Sequence, residues 1–214
     1  MYIAIEGVIG VGKTTLARLL QPAFESELLL EVFEENPFLS DFYSDRARYA
    51  FQTQIFFLLS RYRQQRDTLN KVLGQGKTLI SDYTFAKDAL FARINLHGDE
   101  LEMYYRVHEA LAEKIPTPDL TVYLYADTDM LMQRIALRDR SYERSMERAY
   151  IAELGAAYDD FFDGQDGPVL RMDTTPLDFV HHPEHLKLIE NRIRESLNIN
   201  PYQPRLPNVN GSRD

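Results

Sequence analysis

Cysteine and tryptophan are both absent from this chain of 214 residues. Without cysteine the protein can form no disulfide, no thiolate metal site and no cysteine nucleophile, a composition consistent with a reducing compartment. Long apolar runs are missing as well, since none approaches the ~20 residues needed to span a bilayer, and the N-terminus has no signal-peptide pattern. We therefore expect a soluble, cytoplasmic protein without membrane association.

The chain also lacks an excess of positive charge. Its 24 Lys and Arg residues stand against 33 Asp and Glu residues, and the net charge is −9. A protein that binds a polyanion needs a basic face, so nucleic acid is an unfavourable partner. The five histidines show no metal-ligand spacing with carboxylates. The length and the hydrophobic fraction of 44% indicate one globular domain with a sizeable core.

Short apolar segments alternate with helical patterns along the chain, which indicates βαβ units and an α/β fold with a parallel sheet. Strands are predicted at residues 2–6, 28–33, 78–81, 120–125 and 169–172. Helices are predicted at residues 14–22, 47–73, 101–113, 128–137, 143–162 and 183–196. We expect a domain at 1–197 and a flexible C-terminal tail at 198–214, because the tail is rich in Pro and Asn.

A complete G-x-x-x-x-G-K-[ST] motif follows the first predicted strand and opens the first helix. Glycines let successive backbone N–H groups turn toward an anion, and the helix N-terminus adds its dipole. Lys13 would reach the β- and γ-phosphates of a nucleotide, and the Thr14 hydroxyl would ligate Mg²⁺. An N-K-x-D guanine motif is missing, which disfavours a GTPase. The predicted nucleotide-binding residues of this loop are Gly7, Val8, Ile9, Gly10, Val11, Gly12, Lys13, Thr14 and Thr15.

Glu31 falls at the end of the second predicted strand. In an open parallel sheet, ligands bind beyond the carboxyl ends of the strands, so this carboxylate would lie near the phosphate loop. It could accept the proton of a hydroxyl group that receives a phosphoryl group. Taken alone, a glutamate at a strand end is more often a solvated surface residue.

Four further blocks, in this order, are similar to the deoxynucleoside kinase family, and to its bacterial purine-specific members in particular: EVFEENPFL, FYSDRARYAFQTQIFFLLSRYR, ISDYTFAKDALFA and RIALRDRSYE. The resemblance covers residues 1–195. It implies a P-loop kinase fold with a five-stranded parallel sheet and a lid, a homodimer, and ATP with Mg²⁺ as the phosphate donor. The expected acceptor is the 5′-hydroxyl of a purine deoxynucleoside. Deoxyguanosine is the first expectation, and deoxyadenosine or a broader set of deoxynucleosides is the alternative.

The resemblance also implies catalytic roles for residues at the strand ends. Glu31 would be the general base, and Asp82 would help to hold Mg²⁺ or the acceptor. Lys13 and Arg134 complete the predicted catalytic set. Tyr83 stands where the family usually has an arginine beside the reacting phosphate, and tyrosine has neither the charge nor the bidentate geometry of arginine. Either another cation replaces that arginine or the rate is lower.

Five residues match family positions that bind the deoxynucleoside: Tyr43, Gln54, Arg61, Asp88 and Glu143. Gln54 and Arg61 are seven residues apart on a predicted helix and therefore share a face. A carboxylate at position 88 would accept from guanine N1–H and N2–H, and Arg61 would donate to O6 or N7. Tyr43 and Glu143 would contact the sugar 3′-hydroxyl.

Three arginines, Arg134, Arg138 and Arg140, stand at the end of the predicted helix 128–137. Clustered guanidinium groups suit a phosphoryl group in transfer, and the resemblance makes this segment a lid over the nucleotide. Two other functions stay open. A nucleoside monophosphate kinase would need cations rather than carboxylates near the acceptor, and a nucleotide sensor without catalysis would be compatible with Tyr83.

Overall fold

The computed structural model describes residues 1–32, 35–144, 146–164 and 167–199. Five parallel strands form one sheet in the order β2-β3-β1-β4-β5. The strands are β1 (Tyr2–Gly7), β2 (Glu27–Leu29), β3 (Leu79–Ser81), β4 (Leu120–Tyr125) and β5 (Val169–Asp173). The helices are α1 (Lys13–Phe24), α2 (Leu39–Ser44), α3 (Arg46–Gly74), α4 (Lys87–Asn95), α5 (Gly98–Ala112), α6 (Thr128–Arg138), α7 (Arg148–Asp163) and α8 (Pro183–Ser196). The predicted five-stranded parallel sheet is confirmed.

Strand β1 is central, and its position explains the run of apolar and aromatic residues from Tyr2 to Ile5. All six of its residues are buried, because the strand pairs with β3 on one side and β4 on the other. Parallel sheets covered on both faces are usually built from such runs. The connections from β1 and β4 leave the sheet in opposite directions, so a crevice opens at the carboxyl end of β1. The phosphate loop follows β1 at this point.

Two element boundaries differ from the sequence prediction by more than three residues. Strand β2 ends at Leu29 rather than at residue 33, because the backbone beyond it bonds to side chains and not to β3. Gln64 donates to the Leu30 carbonyl, and the Glu31 amide donates to Asp82. The predicted helix 143–162 begins only at Arg148, and Glu143 lies in a separate one-turn 3-10 helix (Ser141–Glu143).

The sequence patterns did not predict α2 and α4. Helix α2 has six residues, too few to show a helical period. Helix α4 begins with two charged side chains, Lys87 and Asp88, which face inward and are buried. This arrangement obscures the apolar stripe that normally marks a buried helix face. Residues 200–214, most of the predicted tail, lie outside the described residues.

The long helix α3 presents polar side chains to the interior. Asp45 caps its N-terminus by accepting from the Arg48 amide, and Gly76 follows its end with φ 69°. Gln54, Arg61 and other polar residues along its inner face are buried. Buried polar side chains are informative because they need partners or a ligand. Within the described residues no helix combines the length and apolar character needed to cross a membrane.

Candidate active site

Charged and polar side chains meet in a solvent-open cavity, with about 850 Å³ of empty space, at the carboxyl ends of β1, β2 and β3. Helix α3 and the segment after α6 form its walls. Of the site residues predicted from the sequence, the structure brings these to the cavity lining: Ile9, Gly10, Lys13, Thr14, Glu31, Tyr43, Gln54, Arg61, Asp82, Arg138, Arg140 and Glu143.

The phosphate loop has the backbone geometry of an anion cradle. Gly7 and Gly12 have φ values of 143° and 101°, and a Cβ atom at Gly7 would lie 2.1 Å from the Leu124 carbonyl oxygen. Helix α1 has no acidic residue in its first turn and no side-chain cap, so its first N–H groups face the loop. The Lys13 ammonium donates to the Gly7 carbonyl at 2.7 Å. Val8 and Val11 are buried in the core and anchor the loop.

The ammonium group of Lys13 has a lowered pKa. Burial lowers its pKa from 10.5 to about 8, and the nearby positive charge of Lys87 contributes to this shift. Nucleotide phosphates would favour the protonated form of this lysine. The position therefore suits a point charge that binds phosphate.

Asp82 connects the phosphate loop with the end of β2. Its Oδ2 accepts from the Thr14 hydroxyl at 2.5 Å, and its Oδ1 accepts from the Glu31 amide at 2.8 Å. These adjacent oxygens are ligands of the type that Mg²⁺ prefers. Among the described residues no group of three His, Cys, Asp or Glu side chains could hold a metal ion. A bound Mg²⁺ would complete its coordination with nucleotide oxygens and water.

Glu31 lies between two cations. Arg61 Nε donates to its Oε1 at 2.9 Å, and Lys87 Nζ donates to its Oε2 at 2.8 Å. Burial alone would raise the pKa of this carboxyl group, but Arg61 and Lys87 together outweigh burial and hold the pKa well below its usual value of 4.5. Glu31 is therefore ionised at neutral pH.

Lys87 is a residue of this site that the sequence patterns missed. It is the first residue of α4, its side chain is 5% exposed, and it lines the cavity. Tyr83, four residues earlier, is fully buried and is not part of the lining. Its hydroxyl donates to Gln64 at 2.6 Å. A lysine four residues after the family's arginine position was the available sequence signal.

The far end of the cavity carries the groups predicted to bind a nucleoside. Arg61 contacts both Glu31 and Asp88, and its guanidinium stacks on the Phe57 ring at 4.4 Å. Asp88 is fully buried and lies behind Arg61, outside the lining. Gln54 is buried and reaches the cavity from the same helix.

Tyr43 and Glu143 meet at the opposite wall, where Tyr43 stacks with Tyr142 at 6.1 Å between ring centroids. Glu143 accepts from Arg138 Nε at 2.7 Å and lies 3.7 Å from Arg140. Asp139, between these arginines, has φ 45°, the left-handed conformation that glycine adopts more readily. The lid arginines thus contact the acceptor cavity through Glu143.

A second cavity of about 1290 Å³ lies on the other side of the phosphate loop. Gly12, Thr15, Arg138 and Phe179 are among its lining residues. Arg134 lines it as well, and its guanidinium also donates to the Thr174 carbonyl at 2.8 Å and to the Leu177 carbonyl. Arg134 therefore links α6 to the loop after β5.

A phosphate loop between two cavities, one of which contains a buried carboxylate, defines a P-loop kinase for a small acceptor with a hydroxyl group. Residues 3–198 match the family model "Deoxynucleoside kinase". The chain belongs to this family, and its enzymatic class is that of an ATP-dependent phosphotransferase.

Individual relatives agree on the family and differ in their named substrates. The chain is 37% identical to a deoxyguanosine kinase of Bacillus subtilis over 158 residues, which cover 74% of this chain and 76% of that protein. It is 28% identical to a deoxyadenosine/deoxycytidine kinase of the same organism, over 92% of this chain and 94% of that protein. The solved structure of a deoxyadenosine kinase from M. mycoides superimposes with a TM-score of 0.80 at 26% identity, over 91% of this chain and 100% of that chain.

Proposed function

We propose that this protein transfers the γ-phosphoryl group of ATP to the 5′-hydroxyl of a purine deoxynucleoside, and that deoxyguanosine is the preferred acceptor. The main support is the position of Glu31, an ionised carboxylate in the same cavity as Lys13, Thr14 and Asp82. A hydroxyl group beside Glu31 would face the transferred phosphoryl group. The cavity wall is carboxylate-bearing rather than purely cationic, which disfavours a monophosphate as the acceptor.

Each group has a definite part in this reaction. Lys13 and the loop amides would hold the β- and γ-phosphates, while Thr14 and Asp82 would hold Mg²⁺, which would neutralise charge on the phosphate oxygens. Glu31 orients the 5′-hydroxyl and accepts its proton as the bond to phosphorus forms. Transfer through a loose transition state needs mainly positioning and charge stabilisation, which this polar, largely buried site provides.

Arg134, Arg138 and Arg140 are proposed to bind the donor. Arg134 and Arg138 line the second cavity, which we assign to the nucleoside part of ATP. Arg140 lines the acceptor cavity beside Glu143. Tyr43 and Glu143 would hold the sugar, since both line the acceptor cavity, Tyr43 from α2 and Glu143 from the 3-10 helix.

The base preference rests on Gln54, Arg61 and Asp88. Arg61 can donate to guanine O6 and N7, and Asp88 fixes its orientation from behind. The N1–H and N2–H groups of guanine would donate to Gln54, or to Asp88 after a movement of its side chain. Adenine would leave one of these buried polar side chains without a hydrogen-bond partner. An unpaired buried polar group costs about 1–3 kcal/mol, so we expect a preference of about tenfold or more.

Release of ADP, measured with each of the four deoxynucleosides, tests the proposal. We expect the highest kcat/KM with deoxyguanosine, and we expect Asp88→Asn to reduce its advantage over deoxyadenosine. A higher kcat/KM with deoxyadenosine would contradict the base assignment and leave the kinase activity in place. Glu31→Gln should lower kcat about 10²–10⁴-fold. A near-normal kcat in this variant would make Asp82 the candidate base.

A homodimer is the proposed assembly. Leu59 on α3 and Met103 on α5 are exposed, at 42% and 53%, and these two helices pack together. Apolar side chains on neighbouring helices are suited to burial against a second copy. Light scattering after size-exclusion chromatography would give the mass of the assembly, and a monomer mass at micromolar concentration would refute it.

A further inference from the structure

The acceptor cavity contains a buried cation that the proposed reaction does not yet use. Lys87 Nζ lies 2.8 Å from Glu31 Oε2, and the lysine side chain is 5% exposed. Burying an ammonium group is unfavourable unless it is paired, so the sequence retains this lysine at a cost in desolvation. A role in stability alone is a weak explanation, because an apolar side chain of similar volume often replaces a buried ion pair without loss.

Lys87 lines the same cavity as Lys13 and Asp82 of the phosphate site. Its Nζ lies 2.8 Å from Glu31 Oε2 in that cavity. A phosphoryl group that moves from the Lys13 side to a hydroxyl beside Glu31 must cross the space between these two residues. Three anionic oxygens would then come within reach of the Lys87 ammonium, which has three donors on a flexible stem.

Tyr83 explains why the cation comes from position 87. Its ring belongs to a small buried apolar cluster that includes Tyr2 and Leu29, and its hydroxyl donates to Gln64. Gln64 in turn donates to the Leu30 carbonyl at 2.9 Å, next to Glu31. Position 83 is therefore part of the scaffold that holds the Glu31 backbone, and it supplies no charge to the cavity.

We propose that Lys87 is a catalytic residue that binds the phosphoryl group during its transfer and occupies the place of the cation absent at position 83. This proposal rests on the proposed kinase reaction. In the substrate-free protein Lys87 pairs with Glu31. During transfer its ammonium turns to the phosphoryl oxygens, and Glu31 Oε2 becomes available to the 5′-hydroxyl.

Steady-state kinetics of Lys87→Met with ATP and deoxyguanosine test this role. Removal of one preorganised donor to developing charge typically lowers kcat about 10²–10³-fold. We expect a loss of this size with a KM for deoxyguanosine that changes much less, and Lys87→Arg should recover most of the activity. Lys71→Met is the matched control, because Lys71 is exposed on the last turn of α3.

The Glu31→Gln background separates direct contact from mere positioning of Glu31. If Lys87 contacts the phosphoryl group, Lys87→Met lowers kcat further in this background, by about tenfold or more. No further loss there would overturn the proposal, as would a single Lys87→Met variant that keeps kcat within a factor of three. Should the methionine variant fail to fold, Lys87→Gln gives the same comparison. A wild-type protein inactive on every deoxynucleoside would instead refute the proposed function and, with it, the role of Lys87.

Discussion

Replacing Glu31 by glutamine should destabilise the folded protein as well as lower kcat, because Glu31 pairs with two buried cations. The side chains of Arg61, Lys87 and Glu31 are 8%, 5% and 16% exposed, so solvent screens these pairs weakly. Loss of one partner from a buried pair costs about 3–5 kcal/mol. Glutamine keeps a neutral acceptor and Arg61 keeps Asp88, so we expect the lower end, about 3 kcal/mol. For a domain of this size that corresponds to a fall in Tm of about 6–12 °C.

Chemical denaturation of the single and double variants of Glu31→Gln and Lys87→Met measures the pair directly. The double variant should lose less stability than the sum of the two single losses, by about 1 kcal/mol or more, since no orphaned ammonium remains. The pKa of Glu31 is depressed in the folded state, so its contribution is complete above the unfolded value of 4.5 and is lost progressively as the pH falls from there through the lower folded-state pKa. The effect of Glu31→Gln should therefore be larger at pH 7 than at pH 4. Additive losses, or equal losses at both pH values, would refute the ion-pair reasoning.

Three further perturbations follow from the phosphate loop and from Tyr83. Burial and Lys87 lower the pKa of Lys13 to about 8, so ADP binding above this pH should take up a proton and become weaker. Calorimetry at pH 8.5 in two buffers of different ionisation enthalpy measures the proton uptake. Binding without proton uptake would contradict the lowered pKa of Lys13. Gly12 has φ 101°, and Gly12→Ala places a Cβ atom 2.8 Å from the Phe179 ring. This substitution should cost about 1–3 kcal/mol of stability and weaken ADP binding. Thermal unfolding with and without ADP measures both effects. Tyr83→Phe removes the donor to Gln64 and should cost about 1 kcal/mol in denaturation experiments, whereas an unchanged midpoint would mean that water replaces the hydroxyl.

The sequence predicted the nucleotide side of this fold well because that side is local. The glycine spacing, the preceding apolar strand and the following helix lie within about twenty residues. Each depends on short-range physics: positive φ at Gly12, burial of β1 on both faces, and an uncapped N-terminus of α1. Such features leave a pattern in any single chain. The sheet was predictable for the same reason, since short apolar strands alternate with helices.

The acceptor side was harder to predict because its contacts join distant parts of the chain. Lys87 meets Glu31 across 56 positions, and no local sequence pattern predicts that these two side chains form a pair. The end of β2 was also hard to predict, since Leu30 and Val32 continue a strand pattern, while the backbone groups of Leu30 and Glu31 bond to the side chains of Gln64 and Asp82. Side-chain bonds to the backbone override strand propensity in such places.

In the lid segment, two residues with separately predicted roles, Arg138 and Glu143, contact each other. Sequence resemblance assigned Arg138 to ATP and Glu143 to the sugar. In the structure the two side chains form a bidentate pair, and Arg138 lines both cavities. If Arg138 turned toward donor phosphates, Glu143 would be released for a sugar hydroxyl, so occupation of one cavity would change the partners available in the other. Such coupling would come from a side chain that both cavities share, and a sequence pattern does not reveal it because it depends on a tertiary contact.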